Sequence, residues 1–315
     1  MRETLRKIIF GISLLVFLGT LAIIIYYFGT RYMEESERDD LKGLITENTT
    51  EDSTDSTSTT EQTDKGLDYY IIDGVIVQAK FKDIYLKNHD FIGWLEAKNT
   101  KIDYPVVYTP DNIQYYIRKN FDKDYSIAGT LLVGEGTDLS VNNLSENTII
   151  YGHNMNDNSM FGGLFDYEDE DYYKRHRYIE FDSLERNGKY EVIATFKTTV
   201  NMTPGYEGFD VYTGVNMDKK QFDEYVKTCL EKTPYKTVDS VDYSEKLLTL
   251  STCSYHNSYG RYVVIARLVE ETTVDLSKEP IEVINTTDEE WKEFMLCKDK
   301  SFMIEIFVQL KKKKT

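Results

Sequence analysis

Cysteine is scarce in this sequence, which contains only Cys229, Cys253 and Cys297 among its 315 residues. An odd number of thiols cannot all pair within one chain, and no two of these cysteines lie in a C-x-x-C pair. The sequence therefore predicts neither a disulfide framework nor a zinc site. Cys229 lies among apolar residues at helical spacing and is interpreted as a small core residue. Cys253 stands between an apolar segment and a polar one.

Basic residues are also few compared with acidic ones. The chain has 37 Lys and Arg against 54 Asp and Glu, which gives a formal net charge of -17 at pH 7. Binding to a nucleic-acid backbone requires clustered Lys and Arg, so we expect no nucleic-acid partner. The acidic run at residues 168–171 lacks the spaced ligands of a calcium loop and suits the start of a helix. We therefore predict no metal and no cofactor.

Proline is rare and tyrosine abundant, with 5 prolines against 25 tyrosines. Aromatic rings suit the half-buried surface of a sheet, and short segments rich in Val, Ile, Tyr and Thr predict strands. The pattern favours a mainly β fold, a closed or nearly closed barrel with helical insertions. The predicted strands are residues 104–108, 130–133, 148–151, 189–198, 247–253 and 261–269; the predicted helices are 75–86, 161–176 and 218–232, with a helical turn at 111–120.

One long apolar segment lies near the N-terminus. Residues 8–28 are uncharged and numerous enough to cross a bilayer as a helix. Basic residues dominate before this segment and acidic residues after it, which predicts a cytoplasmic N-terminus at residues 1–7 and an extracellular domain. A cleaved signal peptide is the alternative. Its nearest small-x-small site, residues 20–22, is followed directly by further apolar and aromatic residues, so we expect an uncleaved membrane anchor.

The segment after the anchor has a different composition. Residues 46–64 consist entirely of Ser, Thr, Asp, Glu, Asn and Gln. Such a segment buries too little apolar surface to offset the entropy of ordering the chain, which predicts a solvated stretch. We therefore expect an acidic stalk over residues 29–65, a folded domain over 66–270 and an extension of unknown role over 271–315. Within that extension, residues 302–310 alternate like a strand.

The main candidate for chemistry is a cysteine at a strand end. The predicted strand 247–253 ends in Cys253, and Arg261 opens the next strand after a polar loop. In an antiparallel hairpin these residues would lie opposite one another, ~5 Å apart, whereas Arg267 would lie ~20 Å away at ~3.4 Å per residue. A guanidinium beside a thiol favours the thiolate and can stabilise a developing oxyanion. A buried strand cysteine beside a surface arginine explains the same residues equally well.

A cysteine nucleophile also needs a proton carrier, a role that histidine fills near neutral pH. The sequence has 4 histidines. His89 and His176 lie in polar or charged segments and are interpreted as surface residues. His256 lies in the polar loop three residues after Cys253, and His153 follows a predicted strand end opened by glycine. Both stay candidates on this argument.

Three linked motifs resemble those of class B sortases. Residues 147–155, N-T-I-I-Y-G-H-N-M, together with residues 159–161 and 164, resemble the histidine motif of that family. Residues 249–253, T-L-S-T-C, match the family's T-L-x-T-C motif, and Arg261 matches its essential arginine. The similarity extends from about residue 90 to residue 269 and includes the N-terminal anchor.

This resemblance implies a mainly β fold, a sortase-type eight-stranded β-barrel with N-terminal helices and a helix inserted between late strands. It also implies a membrane-anchored cysteine transpeptidase that cleaves a sorting signal of secreted proteins after threonine. The acceptor would be an amine of a peptidoglycan precursor or a pilin. Cys253 would form a thioester acyl-enzyme, His153 would serve as acid and base, and Arg261 would steady the oxyanion. Substrate contacts are implied for Ser251, Asn112 and Tyr116.

Other protein classes explain less of the sequence. An L,D-transpeptidase keeps a glycine directly before its cysteine and an arginine close behind it, whereas here Thr252 precedes Cys253 and the arginine follows eight residues later. A papain-like hydrolase usually has its cysteine before its histidine, the reverse of the order here. A non-catalytic surface adhesin would account for the anchor and the stalk but would leave the three motifs as coincidence.

Overall fold

A long helix begins the described chain. The computed structural model of the protein describes residues 2–50, 66–200 and 208–287. Its first element is helix α1, Arg2–Thr50, which contains the uncharged segment at residues 8–28. Most large apolar side chains of that segment are exposed, as those of a lipid-facing helix would be. By length and composition, this helix is a candidate membrane span.

The folded domain is built mainly from β-strands. They are β1 Tyr69–Ile72, β2 Val75–Gln78, β3 Phe91–Glu96, β4 Asp103–Val107, β5 Leu131–Val133, β6 Asn147–Tyr151, β7 Tyr178–Ser183, β8 Arg186–Thr199, β9 Leu247–Cys253, β10 Gly260–Thr273 and β11 Val283–Ile284. Strands β3 to β10 close into a barrel in the order β10-β8-β7-β3-β4-β5-β6-β9, and a separate sheet has the order β11-β1-β2. The predicted mainly β, eight-stranded barrel is confirmed.

Short helices connect the strands. Helix α4, Lys219–Lys232, lies between β8 and β9 and starts at a capping box in which the side chains and backbone amides of Asp218 and Gln221 bond reciprocally. The predicted helix at residues 161–176 is divided in two where Asp169 caps a new helix. The helices are α2 Lys82–Lys87, α3 Glu170–Arg175 and α4 Lys219–Lys232, with 3-10 helices at Ala79–Phe81, Gly162–Glu168 and Val211–Thr213.

The predicted helix at residues 75–86 is wrong in its first part. Val75–Gln78 is strand β2, which pairs antiparallel with β1 through a turn at Asp73 and Gly74. Both turn residues have positive φ, 49° and 84°, as a two-residue Asp-Gly hairpin turn requires. This turn is a stronger local signal than the apolar spacing around it, and the α-helix begins only at Lys82.

The fold extends beyond residue 270, where we expected the domain to end. Strand β10 continues to Thr273, and β11 pairs in parallel with β1, with Ile284 beside Ile72. The start of the predicted C-terminal extension is therefore part of the fold, because its backbone completes the small sheet. The strand-like segment at residues 302–310 lies outside the described residues, as does Cys297.

Helix α1 packs on the domain over part of the expected stalk. Leu41 is 2% exposed and belongs, with the partly buried Leu44 and Ile45, to a cluster that includes side chains of the barrel. These three residues follow the i, i+3, i+4 spacing of an apolar helix stripe. The many acidic residues around them make this stripe hard to recognise in the sequence. The segment at residues 31–45 is therefore helical and docked rather than a solvated stalk. Residues 51–65 lie outside the described residues.

Two apolar clusters lie on opposite faces of strand β9. Leu248 and Leu250 belong to the cluster inside the barrel, whereas Leu247 belongs to a cluster beneath helix α4. Cys229 is fully buried in this outer cluster, which confirms its interpretation as a core residue. Burial raises the pKa of the Cys229 thiol, so this cysteine stays protonated near neutral pH.

Candidate active site

The strand register brings the three main candidate residues to one end of neighbouring strands. Strand β9 pairs antiparallel with β10, with Cys253 opposite Arg261. Strand β9 also pairs in parallel with β6, with Ser251 beside Tyr151. His153 and Cys253 each follow this last pair by two residues, so both lie at the same end of β6 and β9. Since neighbouring strands lie ~4.8 Å apart, all three residues share one end of the β6-β9-β10 surface.

These side chains belong to the outer face of the barrel. Successive residues of a strand point to opposite faces, and both Leu250 and Tyr262 belong to the interior cluster. Cys253 and Arg261 are an odd number of positions from those residues, so they face outward. Cys253 is partly exposed, whereas Cys229 is buried. The Cys253 thiol is therefore the one of these two that a substrate can reach.

Tyr212 fixes the arginine against the end of strand β9. Arg261 Nε donates to Tyr212 Oη at 2.9 Å, and that hydroxyl also shares a hydrogen bond of 3.0 Å with Ser251 Oγ. The Tyr212 ring meets Tyr151 edge to face, with centroids 5.0 Å apart. Burial raises the pKa of Tyr212, although Ser251 and the Arg261 charge oppose the effect. The hydroxyl therefore stays protonated and orients the guanidinium beside Cys253.

The His153 ring is oriented by a backbone carbonyl. Its Nε2 lies 2.7 Å from the carbonyl oxygen of Ile117. A carbonyl oxygen only accepts hydrogen bonds, so Nε2 carries a proton, and Nδ1 of the neutral ring holds the lone pair. Burial lowers the pKa of His153, opposed by the Ile117 carbonyl and reinforced by the charge of Arg118. The ring is therefore mainly neutral near pH 7 and can take a proton at Nδ1.

Side-chain hydrogen bonds to backbone carbonyls join the His153 segment to strand β9. Thr252 Oγ1 donates to the Gly152 carbonyl at 2.8 Å, and Asn154 Nδ2 donates to the Cys253 carbonyl at 2.9 Å. A Cβ at Gly152 would come within 2.5 Å of Leu131 Cδ2 and 2.7 Å of the buried Phe161 ring, so a larger residue here would displace these side chains. These contacts fix the His153 backbone relative to Cys253.

The other predicted site residues lie in varied environments. His256 Nδ1 is 2.9 Å from Ser254 Oγ, in the loop after Cys253. Asn112 lies on an exposed turn. In the described ranges, no group of three or more His, Cys, Asp or Glu side chains is placed to share a metal ion.

Tyr116 does not fit its implied role as a substrate contact. Its side chain is 0% exposed, its hydroxyl donates to Asp90 at 2.7 Å, and Asn88 Nδ2 donates to that hydroxyl at 2.8 Å. Burial raises the pKa of Tyr116, and Asp90 adds to the effect. In this conformation Tyr116 supports the segment that carries the Ile117 carbonyl, and no substrate can touch its ring.

Two features of the site are missing from the sequence prediction. Tyr212 is one of 25 tyrosines and lies far from the motifs, so nothing in its local sequence marks it. The Ile117 carbonyl is a backbone group and has no residue signature at all. A polar partner for Arg261 could have been expected, because a guanidinium held beside a strand end needs acceptors.

Comparison with known proteins agrees with this arrangement. The sortase domain family model matches residues 95–269. Sortase B of Listeria monocytogenes is 32% identical over 197 residues, which covers 61% of this chain and 75% of that relative. Sortase B of Staphylococcus aureus is 29% identical over 199 residues, with 62% and 76% covered. The crystal structure of sortase B from B. anthracis in complex with AAEK2 has a TM-score of 0.57 and 28% identity, with 76% of this chain and 97% of that chain covered. The chain therefore belongs to the sortase family, as a class B member, and is a cysteine transpeptidase.

Proposed function

We propose that this protein cleaves a C-terminal sorting signal of secreted proteins after threonine and transfers them to an amine of the cell wall or of a pilin. Cys253 is the nucleophile, His153 the acid and base, and Arg261 the cation that stabilises the oxyanion. The observation that carries this proposal is the register that pairs Cys253 with Arg261 and runs β6 alongside β9 up to Tyr151, two residues before His153. Helix α1 would anchor the enzyme in the membrane, with its N-terminus in the cytoplasm and the barrel outside.

The first half-reaction forms the acyl-enzyme. The Cys253 sulfur attacks the threonine carbonyl carbon while its proton passes to His153 Nδ1. The guanidinium of Arg261 stabilises the negative charge that develops on the carbonyl oxygen. His153 then returns the proton to the leaving amine, the C–N bond breaks, and a thioester joins threonine to Cys253.

The second half-reaction returns the enzyme to its starting state. An incoming amine attacks the thioester carbonyl and gives its proton to His153, which is neutral again after the first half-reaction. The new amide bond forms as the C–S bond breaks, and the proton returns to the Cys253 sulfur. The partly exposed Cys253 supports entry of an acceptor, which a buried thiol would prevent.

A transfer assay tests the proposed reaction. The full chain in detergent is incubated with a library of sorting-signal peptides and a cell-wall peptide amine or a pilin lysine peptide. Mass spectrometry should find a product in which a peptide truncated after threonine is joined to one of these amines. Hydrolysed peptide alone would contradict transfer, and intact peptide throughout would contradict the proposed substrate class.

The Tyr212 hydroxyl should support the function of Arg261. Tyr212→Phe removes the acceptor of the Arg261 Nε bond while keeping the ring against Tyr151. We expect kcat to fall about 10- to 100-fold, because a misplaced guanidinium stabilises the oxyanion poorly. Steady-state kinetics with a cleaved peptide measures this loss. Tyr125→Phe, at an exposed tyrosine, is the matched control, and equal kinetics in the two variants would refute the assigned role of the hydroxyl.

Gly129 should maintain the carbonyl that orients His153. A Cβ at Gly129 would lie 2.7 Å from the Ile117 oxygen, so Gly129→Ala must displace the acceptor of the His153 ring. We expect kcat/KM to fall about 10- to 100-fold. Gly136 also has positive φ but open space around its Cβ position, so Gly136→Ala controls for backbone strain. Melting curves verify that both variants fold, and comparable kinetic losses in both would contradict this role of Gly129.

A further inference from the structure

The loop that follows His153 is a tight hairpin. Asn154 and Met160 form a β-bridge, and the Phe161 amide donates to the His153 carbonyl at 3.0 Å. Within the loop, the Ser159 hydroxyl donates to Asp157 Oδ1 at 2.6 Å. The position of His153 therefore depends on how residues 154–160 are held.

Helix α1 holds this loop through one arginine. Arg31 Nη2 donates to Asp157 Oδ2 at 2.8 Å, and Arg31 Nε lies 3.2 Å from the same oxygen. Arg31 Nη2 also donates to Ser159 Oγ. The Arg31 side chain is 18% exposed, and its Nη1 pairs with Glu34 at 2.5 Å. Burial would raise the pKa of Asp157, but hydrogen bonds from Ser159 and the Arg31 charge lower it, so this carboxylate stays ionised near neutral pH.

The arginine lies close to the predicted membrane span. Arg31 is three residues beyond residue 28, which corresponds to ~4.5 Å along the helix at ~1.5 Å per residue. The helix continues without interruption through the docked residue Leu41. Asp157 also receives support from the barrel side, where Lys101 Nζ donates to its backbone carbonyl at 2.7 Å. The loop is therefore clamped between the anchor helix and the barrel.

We propose that Arg31 is a positioning residue for His153, because it fixes loop 154–160 through Asp157 and Ser159. The contact of helix α1 with this loop is thereby coupled to the geometry of the active site. This inference rests on the proposed transfer function. It goes beyond that function because it gives Arg31, a residue just outside the predicted membrane span, a part in holding the active site in place.

The test compares two ion pairs of the same helix, one with the loop (Arg31–Asp157) and one with the barrel (Lys42–Asp103). Lys42 Nζ lies 2.6 Å from Asp103, so Lys42→Ala removes an ion pair of the same helix while leaving Arg31 and its contacts with the loop in place. In full-length protein in lipid nanodiscs, Arg31→Ala should lower kcat about 10- to 100-fold with little change in KM. Lys42→Ala should stay within about twofold of the unchanged protein, and Arg31→Lys should recover part of the loss because it keeps the charge.

A second measurement does not depend on turnover. The pKa of the His153 imidazole, followed by NMR in the same nanodiscs, should rise towards its usual value in Arg31→Ala because the loosened loop exposes the ring. It should not rise in Lys42→Ala. Equal effects of the two variants on kcat and on this pKa, or no effect of Arg31→Ala on either, would overturn the inference. If the unchanged protein transfers no peptide, the proposed function fails, and the NMR comparison still decides the positioning role.

Discussion

Replacing Cys253 by alanine is expected to lower the rate of peptide cleavage by at least about 10⁴-fold, because it removes the sulfur that we propose to carry the acyl group. The rate is measured with the sorting-signal peptide that the unchanged protein cleaves fastest. Cys229→Ala is the matched control, since Cys229 is fully buried on the inner face of helix α4 and cannot meet a substrate. It should reduce stability while leaving the rate per folded molecule within about twofold.

This comparison also separates an enzyme from a surface adhesin. Both variants keep Cys297, so any activity from that thiol would persist in each of them. Cleavage that survives Cys253→Ala would contradict the assignment of the nucleophile. A protein that binds peptides equally well with and without Cys253 but never cleaves them would favour the adhesin interpretation.

Replacing His153 by alanine is expected to lower kcat about 10²- to 10⁴-fold, the range that a general acid and base supplies. The Ile117 carbonyl orients Nε2 of this ring, and in the proposed mechanism the ring carries both proton transfers, so its loss should remove them. His256→Ala is the control, because His256 lies in the neighbouring loop and bonds to Ser254. It should retain most of the activity. Full activity in His153→Ala, or a larger loss in His256→Ala, would reverse the assignment.

The same residue predicts the response to acid. Burial lowers the pKa of His153 below its usual value, which is about 6.5, so kcat should hold as pH falls to that value and decline only below it. The sign for stability follows from proton binding. The unfolded chain takes up this proton more readily than the folded one, so the contribution of His153 to stability falls as pH drops through its unfolded pKa. If kcat already declined at pH values above the usual histidine pKa, the profile would contradict a lowered pKa of His153.

The sequence was sufficient for the parts of the site that lie within continuous motifs. Cys253 is the last residue of β9 and Arg261 the second residue of β10, so their pairing follows from a simple hairpin. Choosing His153 over His256 was not possible from local sequence, because the parallel pairing of β6 with β9 joins residues about 100 positions apart. The family resemblance, rather than periodicity, supplied that choice.

Groups that act through the backbone or through distant segments were not predictable. The Ile117 carbonyl has no side-chain signature, and Tyr212 reaches Arg261 only because of the path between β8 and β9. Tyr116 was expected to contact substrate, yet its ring is completely buried. Aromatic residues near a motif serve packing as readily as recognition, and only their environment distinguishes the two roles.

The N-terminal region shows a different limit of sequence reasoning. Acidic composition predicted a solvated stalk from residue 29, but an apolar stripe at Leu41, Leu44 and Ile45 docks the helix on the barrel. Composition averages over all faces of a helix, whereas docking needs only one of them. The same stripe extends the contact that begins at Arg31.

The central claim is that the Cys253 thiol attacks a threonine carbonyl, and trapping the acyl-enzyme tests it most directly. The full chain is incubated with sorting-signal peptides without an added amine, quenched in acid and digested for mass spectrometry. The account predicts a thioester adduct on the fragment that contains Cys253, with the peptide ending at threonine, and no such adduct in Cys253→Ala. An adduct on Cys229, or none at all on folded and reduced protein, would contradict it.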